Sequence, residues 1–540
     1  MSAPTPWWRH SVVYQVYLRS FADANGDGRG DISGLRSRLG HLRSLGVDAI
    51  WVNPWYRSPL NDGGYDVADY RSVDPGFGTM DQAMELFEEA AGLGLKVLID
   101  LVPNHTSSEH VWFLEALASD PGSAPRMRYH FRPGRGRGGG EPPNDWKSVF
   151  GGTAWNGVDY GVWYLHLFDA TQPDLNWAHP EVRAEFVDIM RFWLDRGASG
   201  FRVDVANALT KDPEYRDVGY EVEPLSAVGG DGHAYFDRPE LHEIVREWRA
   251  VVDGYPGAVL VAEAWVDNWD RLAAYVRPDE YHQAFDFLFL QARWQCDDMK
   301  GRIGDALAGA GSVGSVPTWV LSNHDVVRHR TRYGLPQDID GRYWLLDGNR
   351  KALDPGLGLR RARAAVLLML ALPGSVYLYQ GEELGLPEVV DLPLEALDDP
   401  IWERSGHTIK GRDGCRVPIP WTRSGPSFGF GEDRAWLPQP KEWGRLSVEA
   451  QDGGEGSTLE LYRSALRLRR GRLGDDESLE WLDLGPDVLA FRRGSGVSVA
   501  VNFGAEPVAI PEREVLLASE GLSDGLLPSD TAVWLVAESR

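Results

Sequence analysis

The sequence has few of the features that stabilise secreted or membrane-bound proteins. Only two of its 540 residues are cysteine, at positions 296 and 415, so at most one disulfide could form. No run of apolar residues approaches the length of about 18 that a membrane-spanning helix needs. The first ten residues contain no basic segment followed by an apolar stretch, so no signal peptide is visible. These absences predict a cytoplasmic location.

Basic charge is also scarce in this chain. Its 55 Lys and Arg residues are outnumbered by 80 Asp and Glu residues, which gives a formal charge of −25. Nucleic acids and anionic membranes both attract Lys and Arg, so neither is expected to be a partner. A neutral small-molecule substrate is compatible with this charge, although solubility alone would also explain it. The composition does not distinguish a monomer from a homodimer.

Short apolar runs alternate along the chain with segments of helical periodicity. Nearly continuous apolar runs are typical of parallel strands that helices cover. Eight such strand–helix units close most simply into a (β/α)8 TIM barrel, an α/β fold, and an open doubly wound sheet is the alternative. The predicted strands are residues 12–18, 48–53, 96–101, 200–205, 259–265, 284–290, 318–322 and 375–380.

Two regions interrupt this alternation. Residues 105–175 are rich in Gly, Pro, Trp and Asp and follow the third strand, which predicts a functional inserted domain. After a predicted helix at 459–470, short alternating segments predict a small antiparallel β domain. The predicted organisation is a barrel formed by residues 1–104 and 176–472, an insertion at 105–175 and a C-terminal β domain at 473–540. Two barrel helices are predicted to begin at Ser33, as the N-cap, and at Pro180.

Three carboxylates follow predicted strands. Asp204 ends the sequence Gly-Phe-Arg-Val-Asp, Glu263 follows Val-Leu-Val-Ala, and Asp325 follows Thr-Trp-Val-Leu-Ser-Asn-His. A charge next to buried residues needs a partner or a function, because desolvating it is costly. Parallel barrel strands end at one face, so we expect the three acids to share a pocket. Cleavage of a glycosidic bond uses carboxylates arranged in this way.

The local sequence predicts different roles for these acids. The strand period places Arg202 and Asp204 on one face, so Arg202 is expected to keep Asp204 ionised as a nucleophile. A buried ion pair without a catalytic role is the alternative. Apolar neighbours are expected to keep Glu263 neutral, the form that protonates a leaving group. Asp325 could hold sugar hydroxyls or stabilise positive charge at the reacting carbon.

Four of these segments resemble, in order and spacing, the motifs of the α-amylase superfamily, the family 13 glycoside hydrolases. The matching segments are 100–105 (Asp-Leu-Val-Pro-Asn-His), 200–204, Glu263 and 323–325 (Asn-His-Asp). The segments at 8–17 and 411–421 resemble the intracellular α-glucosidase and oligo-1,6-glucosidase branch. The resemblance covers essentially the whole predicted barrel, and it implies that the insertion is domain B and the terminal β unit domain C.

The resemblance also implies a role for each matched residue. Asp204 would be the nucleophile, Glu263 the acid/base and Asp325 the transition-state stabiliser. Asp62 and Arg416 resemble the pair that closes the pocket behind the non-reducing end in exo-acting members. The same motifs imply a glucosyl subsite that is lined by Tyr65, Asp66, His105, Arg202 and His324. Without the resemblance, His105 could be a core histidine or a metal ligand, although no HExxH pattern is present.

A loop rich in Asp and Gly at residues 23–31 predicts a cation site. Oxygen-bearing side chains at alternate positions with Gly at the sixth match the first half of an EF-hand loop. The twelfth position is Gly34 instead of the bidentate Glu, so an EF-hand is not expected. A solvated turn is the alternative. The resemblance implies the single Ca2+ or Mg2+ site of this branch, with the ligands Asp23, Asn25, Asp27, Asp31 and the backbone oxygen of Arg29.

Together these features predict a retaining exo-acting α-glucosidase that releases glucose from maltose and short malto-oligosaccharides, with transglucosylation to other acceptors. Val205 resembles enzymes that accept α-1,6 bonds, whereas 206–211 and 413–417 resemble actinobacterial-type α-1,4-glucosidases. The alternatives are an oligo-1,6-glucosidase and a glucosyltransferase that acts on sucrose or trehalose. An inactive binding subunit is the alternative of another class, and the complete set of carboxylates disfavours it. No organic cofactor is expected.

Overall fold

Eight parallel strands form the central sheet of the computed structural model, which describes residues 5–158, 161–219, 225–511, 514–522 and 525–536. The strands are β1 (Val12–Val16), β2 (Ala49–Val52), β3 (Lys96–Leu101), β4 (Gly200–Val203), β5 (Val259–Ala262), β6 (Gln283–Ala284), β7 (Thr318–Val320) and β8 (Ser375–Tyr379). Their order in the sheet is β6-β5-β4-β3-β2-β1-β8-β7. A parallel bridge between Phe285 and Thr318 joins the two edges. The predicted (β/α)8 barrel is therefore confirmed, and the open-sheet alternative is wrong.

Helices follow the strands in sequence and cover the outside of the barrel. The one that follows β3 and the insertion starts with Pro180 at its first turn, as predicted. The helix after β1 differs, because its N-cap is Asp31 and not Ser33: the Asp31 carboxylate accepts a hydrogen bond from the Gly34 N–H. The main outer helices are Ile32–Ser37, Leu39–Leu45, Met80–Gly92, Pro180–Leu194, Leu241–Val252, Trp269–Tyr275, Cys296–Ser312, Pro355–Ala371 and Thr458–Leu468.

The sixth strand is much shorter than predicted. Residues 284–290 were predicted to be one strand, but only Gln283–Ala284 is extended and a short helix, Phe287–Leu290, follows it. The Asp286 carboxylate caps this helix by accepting a hydrogen bond from the Phe289 N–H at 2.9 Å. A short apolar run is compatible with a buried strand and with a buried helix, and here the capping residue determines the helix.

The insertion after β3 contains a small antiparallel sheet of its own. Its three strands are Phe131–Pro133, Val162–Leu165 and Trp155–Val158, in this spatial order. Two helices, Val111–Ala118 and Ala124–Met127, precede them. A bridge between His105 and Asp174 ties the start of the insertion to its end, directly beside the barrel. The domain boundaries given above remain predictions.

The chain ends in an antiparallel sheet, as expected. Its strands are β9 (Leu479–Leu482), β10 (Val488–Arg493), β11 (Val497–Asn502), β12 (Glu514–Ala518) and β13 (Thr531–Val536), in the order β9-β10-β11-β13-β12. The sequence analysis missed β9. Trp534 on β13 is fully buried and donates a hydrogen bond from its indole N–H to the Leu367 carbonyl at 3.0 Å. This contact fixes the sheet to the outer helix Pro355–Ala371.

Both cysteines of the chain are buried, and they form no disulfide. Within the described ranges, no helix is long and apolar enough to span a bilayer.

Glu382, just after β8, makes the stability of the barrel depend on pH. Its side chain is almost fully buried and accepts hydrogen bonds from the Tyr379 N–H and the Tyr462 hydroxyl. Burial raises the pKa of Glu382 from 4.5 to about 8. Between these two values the folded chain holds a proton that the unfolded chain has released. The free energy of unfolding is therefore expected to fall as pH rises through this range, by up to about 1.4 kcal/mol per pH unit.

The variant Glu382→Gln tests this prediction, because glutamine resembles the protonated acid. Urea unfolding at pH 6 and pH 8 should show a smaller loss of stability in Glu382→Gln than in the unmodified protein. Burial also raises the pKa values of Asp286 and Glu388, each to about 7, so part of the dependence should remain. Glu395→Gln, at an exposed position, is the matched control. An equal loss of stability in Glu382→Gln and in the unmodified protein would contradict the assignment.

Candidate active site

A cavity of about 590 Å3 opens at the carboxyl ends of the barrel strands. It is the part of the structure in which the predicted site residues meet, as expected for this fold. The predicted residues that line it are Asp62, Tyr65, His105, Asp204, Glu263, His324 and Asp325. The predicted residues Asp66, Arg202 and Arg416 do not belong to the described lining, and each has a different position.

Arg202 lies beneath the cavity and connects three carboxylates. Its guanidinium donates to Asp100 at 2.6 Å and to Asp204 at 2.7 Å. A third hydrogen bond reaches Glu263 at 2.6 Å. Arg202 is only 1% exposed, so these are buried charge-assisted bonds. A single guanidinium thus holds Asp204 and Glu263 close to each other.

Gly200 allows β4 and β5 to approach closely enough for this arrangement. Its φ is 141°, and a Cβ atom there would lie 2.0 Å from the Val259 carbonyl oxygen. Any other residue would therefore separate the strands that carry Asp204 and Glu263. Val205, directly after Asp204, has a φ of 41°, which is rare for a β-branched residue. Its N–H donates to Glu263 at 3.0 Å, so the strained backbone supports the acid pair.

The surroundings of Asp204 and Glu263 differ from the predicted ones. Burial raises the pKa of Asp204 well above its usual range, Arg202 opposes this, and the charges of Glu263 and Asp100 add to it. Glu263 lacks the apolar surroundings that its sequence neighbours suggested. Its carboxylate accepts hydrogen bonds from Arg202, the Val205 N–H and the Trp265 indole. A retaining mechanism uses the form in which Asp204 is ionised and Glu263 holds a proton.

Asp325 is held in its ionised form. Burial opposes ionisation, but His324, Arg412 and Arg416 together hold the pKa of Asp325 below its usual range. Its carboxylate oxygens lie 3.0 Å from Arg412 and 3.1 Å from Arg416. The third neighbour, His324 Nε2, lies at 3.2 Å. Burial lowers the pKa of His324, so this histidine is neutral and can donate one hydrogen bond to Asp325.

Tyr65 and His105 also line the cavity. The Tyr65 ring stacks on His324, with centroids 5.3 Å apart and an angle of 12° between the planes. Its hydroxyl donates to Asp100 at 3.0 Å, which connects it to the network around Arg202. His105 Nε2 lies 3.1 Å from the Tyr65 carbonyl oxygen, and burial lowers the pKa of His105 to about 4. A neutral imidazole therefore faces the cavity near neutral pH.

The ion pair that Asp62 forms in the lining of the cavity differs from the expected one. Asp62 is paired with Arg412 at 2.8 Å, and not with Arg416. The Arg412 guanidinium also contacts Asp325 at 3.0 Å and Asp399 at 2.6 Å. Arg416 instead donates to the His324 carbonyl and to Asp325. Sequence analysis missed Arg412 and Asp399, although Arg412 belongs to the segment 411–421 that carried the resemblance.

Asp66 is turned away from the cavity. Its carboxylate accepts hydrogen bonds from the Ser58 hydroxyl at 2.8 Å and from the Asn61 N–H at 2.9 Å. The Asp66 carboxylate accepts a third hydrogen bond from the Asp62 N–H at 3.2 Å. Burial raises the pKa of Asp66 to about 6. In this conformation Asp66 holds the loop that presents Asp62, and direct contact between Asp66 and a ligand remains a prediction.

The predicted cation loop is ordered by hydrogen bonds to its own backbone. The Asp23 carboxylate accepts from the Gly26 and Gly28 N–H groups, at 2.7 and 2.9 Å. The Asp31 carboxylate accepts from the N–H groups of residues 24, 25 and 34. Among the described residues, no three Asp, Glu, His or Cys side chains converge as metal ligands. The predicted ligands also include the Asn25 side chain and the Arg29 backbone oxygen, and their donor chemistry suits a hard cation, so Ca2+ or Mg2+ binding remains a prediction.

A chelator titration tests whether the loop binds a cation. If it does, EDTA should lower the melting temperature of the unmodified protein, because a ligand that binds only the folded state stabilises it. Asp27→Ala removes the acceptor of the Arg29 N–H as well as one predicted ligand, so it should melt lower and respond less to EDTA. Asp81→Ala, in an outer helix, is the control. Equal insensitivity to EDTA in the unmodified protein and in Asp27→Ala would exclude a cation in the loop.

Comparison with known proteins identifies relatives of this chain. Residues 15–473 match the model of the α-amylase catalytic domain, and residues 471–534 match a domain family of unknown function. A probable α-glucosidase of Rhizobium meliloti is 37% identical over 506 residues, which cover 91% of this chain and 87% of that protein. An oligo-1,6-glucosidase of Parageobacillus thermoglucosidasius is 34% identical, over 86% of this chain and 84% of that protein.

Solved structures agree with this assignment. The crystal structure of the α-glucosyl transfer enzyme XgtA superposes on this chain with a TM-score of 0.85 and 36% sequence identity. The match covers 99% of this chain and 100% of the XgtA chain. These relatives are glucosidases and a glucosyl-transferring enzyme, so the present protein is an enzyme of that general type and acts on small sugar substrates. The chain belongs to the α-amylase family of glycoside hydrolases.

Proposed function

We propose that this enzyme is a retaining exo-acting α-glucosidase that releases glucose from the non-reducing ends of maltose and short malto-oligosaccharides. The observation that carries the proposal is the ion pair Asp62–Arg412, which lines the cavity next to Asp325 and is almost completely shielded from solvent. We infer that this pair closes the cavity behind the non-reducing end of the substrate. Only a terminal unit of an oligosaccharide fits such a site.

Asp204 and Glu263 supply the chemistry in this proposal. The Asp204 carboxylate attacks the anomeric carbon and forms a C–O bond, while the bond to the leaving oxygen breaks and its electron pair stays on that oxygen. The leaving oxygen takes the proton of Glu263. Water, or an acceptor hydroxyl in transglucosylation, then attacks the glucosyl-enzyme and gives its proton to Glu263. Two inversions at the same carbon give net retention.

The polar groups around the closed end are suited to the terminal glucosyl unit. Arg412, the ionised Asp325 and Asp62 offer hydrogen bonds to sugar hydroxyls, and those of the charged groups are the strongest. Asp325 also places a negative charge where positive charge develops at the anomeric carbon. Tyr65 presents an aromatic ring to the same space. The cytoplasmic location and a monomeric or homodimeric state are part of the proposal.

The preference for α-1,4 bonds depends on the residue that follows the nucleophile in the chain. Val205 lines the cavity next to the nucleophile, so the linkage that enters depends on its contacts with the leaving sugar. The relatives include a probable α-glucosidase, an oligo-1,6-glucosidase and a transfer enzyme, which correspond to the predicted activity and to its two enzymatic alternatives.

Initial rates on maltose, isomaltose, sucrose and trehalose, with the anomeric form of the product recorded by NMR, test the proposal. Maltose should be the best substrate, and 4-nitrophenyl α-glucoside, which yields only one glucose, should release it first as α-glucose. Faster hydrolysis of isomaltose would identify an oligo-1,6-glucosidase, and isomerised disaccharides from sucrose would identify a transferase. Release of β-glucose from 4-nitrophenyl α-glucoside, or of internal fragments from longer chains, would overturn the retaining exo-acting mechanism.

A further inference from the structure

We infer that Trp265 is a positioning residue for proton transfer, whose indole N–H fixes the oxygen of Glu263 that carries the proton. The inference rests on the acid/base role of Glu263 in the proposed function. Trp265 follows β5 two residues after Glu263, and its side chain lines the cavity. It was not among the residues that the sequence analysis selected.

The hydrogen bonds of Glu263 distinguish its two oxygens. Oε2 accepts from Arg202 Nη2 at 2.6 Å and from the Val205 N–H at 3.0 Å. Both lone pairs of that oxygen are therefore occupied by strong donors. Oε1 accepts from Trp265 Nε1 at 3.1 Å, its one protein donor in the described part of the chain. When Glu263 is protonated, the proton thus resides on Oε1, next to the indole.

The Trp265 side chain is itself firmly held. Its ring stacks on Phe287, with centroids 4.0 Å apart and an angle of 21° between the planes. Phe287 is only 4% exposed and begins the short helix that Asp286 caps. The Trp265 carbonyl accepts from Asn207 Nδ2 at 2.9 Å and from the Gly229 N–H at 3.0 Å. Ring and backbone are both fixed, so the direction of the indole N–H is fixed as well.

The proton on Oε1 of Glu263 is used in the first step of the reaction. The proton on Oε1 moves to the leaving oxygen as the glycosidic bond breaks, and the electron pair of that bond stays on the oxygen. The indole N–H then stabilises the carboxylate that remains on Glu263. Sugar leaving groups need this proton, because their alkoxides are strong bases. A 4-nitrophenolate leaving group needs little protonation, so it should depend much less on Trp265.

Charged groups around Glu263 also influence how readily it gives up its proton. Arg202 donates to its carboxylate, and Asp204 interacts with it through space. Asp100 shares the Arg202 guanidinium, and Asp325 also acts on Asp204. These four groups remain when Trp265 is replaced. Loss of the indole N–H alone should therefore move the alkaline limb of the pH profile to higher pH, because the ionised acid loses one donor.

The test compares Trp265→Phe with the unmodified enzyme on two substrates. Phenylalanine keeps a ring against Phe287 but has no N–H. We expect kcat/KM on maltose to fall about 10-fold and on 4-nitrophenyl α-glucoside less than threefold. The alkaline limb of the maltose profile should move to higher pH. Trp481→Phe, in the C-terminal sheet, is the control and should change neither quantity.

Equal decreases in kcat/KM on both substrates, with no shift in the alkaline limb of the maltose pH profile, would show that Trp265 contributes only through packing. That result would overturn the inference. If Trp265→Phe does not fold, as judged by circular dichroism and melting temperature, Phe287→Leu replaces it. That variant keeps the indole N–H but frees the ring, and it should show the same selective loss on maltose. An equal loss on both substrates would again overturn the inference. Failure of the proposed function is distinguishable, because Glu263→Gln would then retain turnover of maltose.

Discussion

Asp204→Asn is expected to lower kcat on maltose by about 10⁴-fold or more. Asparagine has nearly the same shape, and its side-chain oxygen can still accept the hydrogen bond from Arg202, so the barrel should fold normally. Its amide cannot form the glucosyl-enzyme, and therefore the first chemical step is lost. The measurement is the initial rate of glucose release at saturating maltose, with the melting temperature as a check on folding. Turnover near that of the unmodified enzyme would contradict the nucleophile assignment.

Asp286→Asn is the matched control for this experiment. Asp286 is also buried and also follows a barrel strand, β6. Its carboxylate accepts from the Phe289 N–H and the Trp269 indole N–H, away from the cavity. Burial raises the pKa of Asp286 to about 7, so a neutral side chain is tolerated there. We expect its activity to stay within a few-fold of that of the unmodified enzyme, which would show that the effect at Asp204 is specific.

Arg412→Lys is expected to lower kcat/KM by about 10³-fold. The guanidinium contacts Asp62, Asp325 and Asp399 at the same time, and a single lysine ammonium group cannot reproduce this planar arrangement. At least one buried carboxylate would lose its partner, which costs about 3–5 kcal/mol when the group stays ionised. Part of that cost should appear as a lower melting temperature, and part as weaker binding of the terminal sugar. Both quantities are measured on the same preparation.

A double-mutant cycle decides which arginine is paired with Asp62. Asp62→Asn is combined with Arg412→Lys in one cycle and with Arg416→Lys in the other. The structure predicts a coupling energy of more than about 1 kcal/mol for Arg412 and a smaller one for Arg416, because Arg412 donates a hydrogen bond to Asp62 whereas Arg416 acts on it only through space. Strong coupling to Arg416 and none to Arg412 would restore the pairing that the sequence suggested.

Local patterns in the sequence were enough to predict the barrel. Each strand is a short, nearly continuous apolar run, and seven of the eight predicted runs contain a strand of the barrel, whereas 284–290 shares only Ala284 with β6. The barrel itself explains why the predicted acids meet: parallel strands end at one face, so Asp204, Glu263 and Asp325 converge although about 120 residues separate the first from the last. The same logic failed for 284–290, where a capping side chain, and not hydrophobicity, decides the local structure.

Contacts between distant segments decided what the sequence could not. Arg412 and Arg416 lie four residues apart in the same motif, and only the packing of the loop around Asp399 determines which of them reaches Asp62. Glu263 has apolar neighbours along the chain, but its donors come from β4, from the residue after Asp204 and from Trp265. The sequence by itself determined which residues stand at the ends of strands, since that depends on short-range periodicity. The tertiary structure alone decided their partners and protonation, because hydrogen bonds and desolvation depend on neighbours in space.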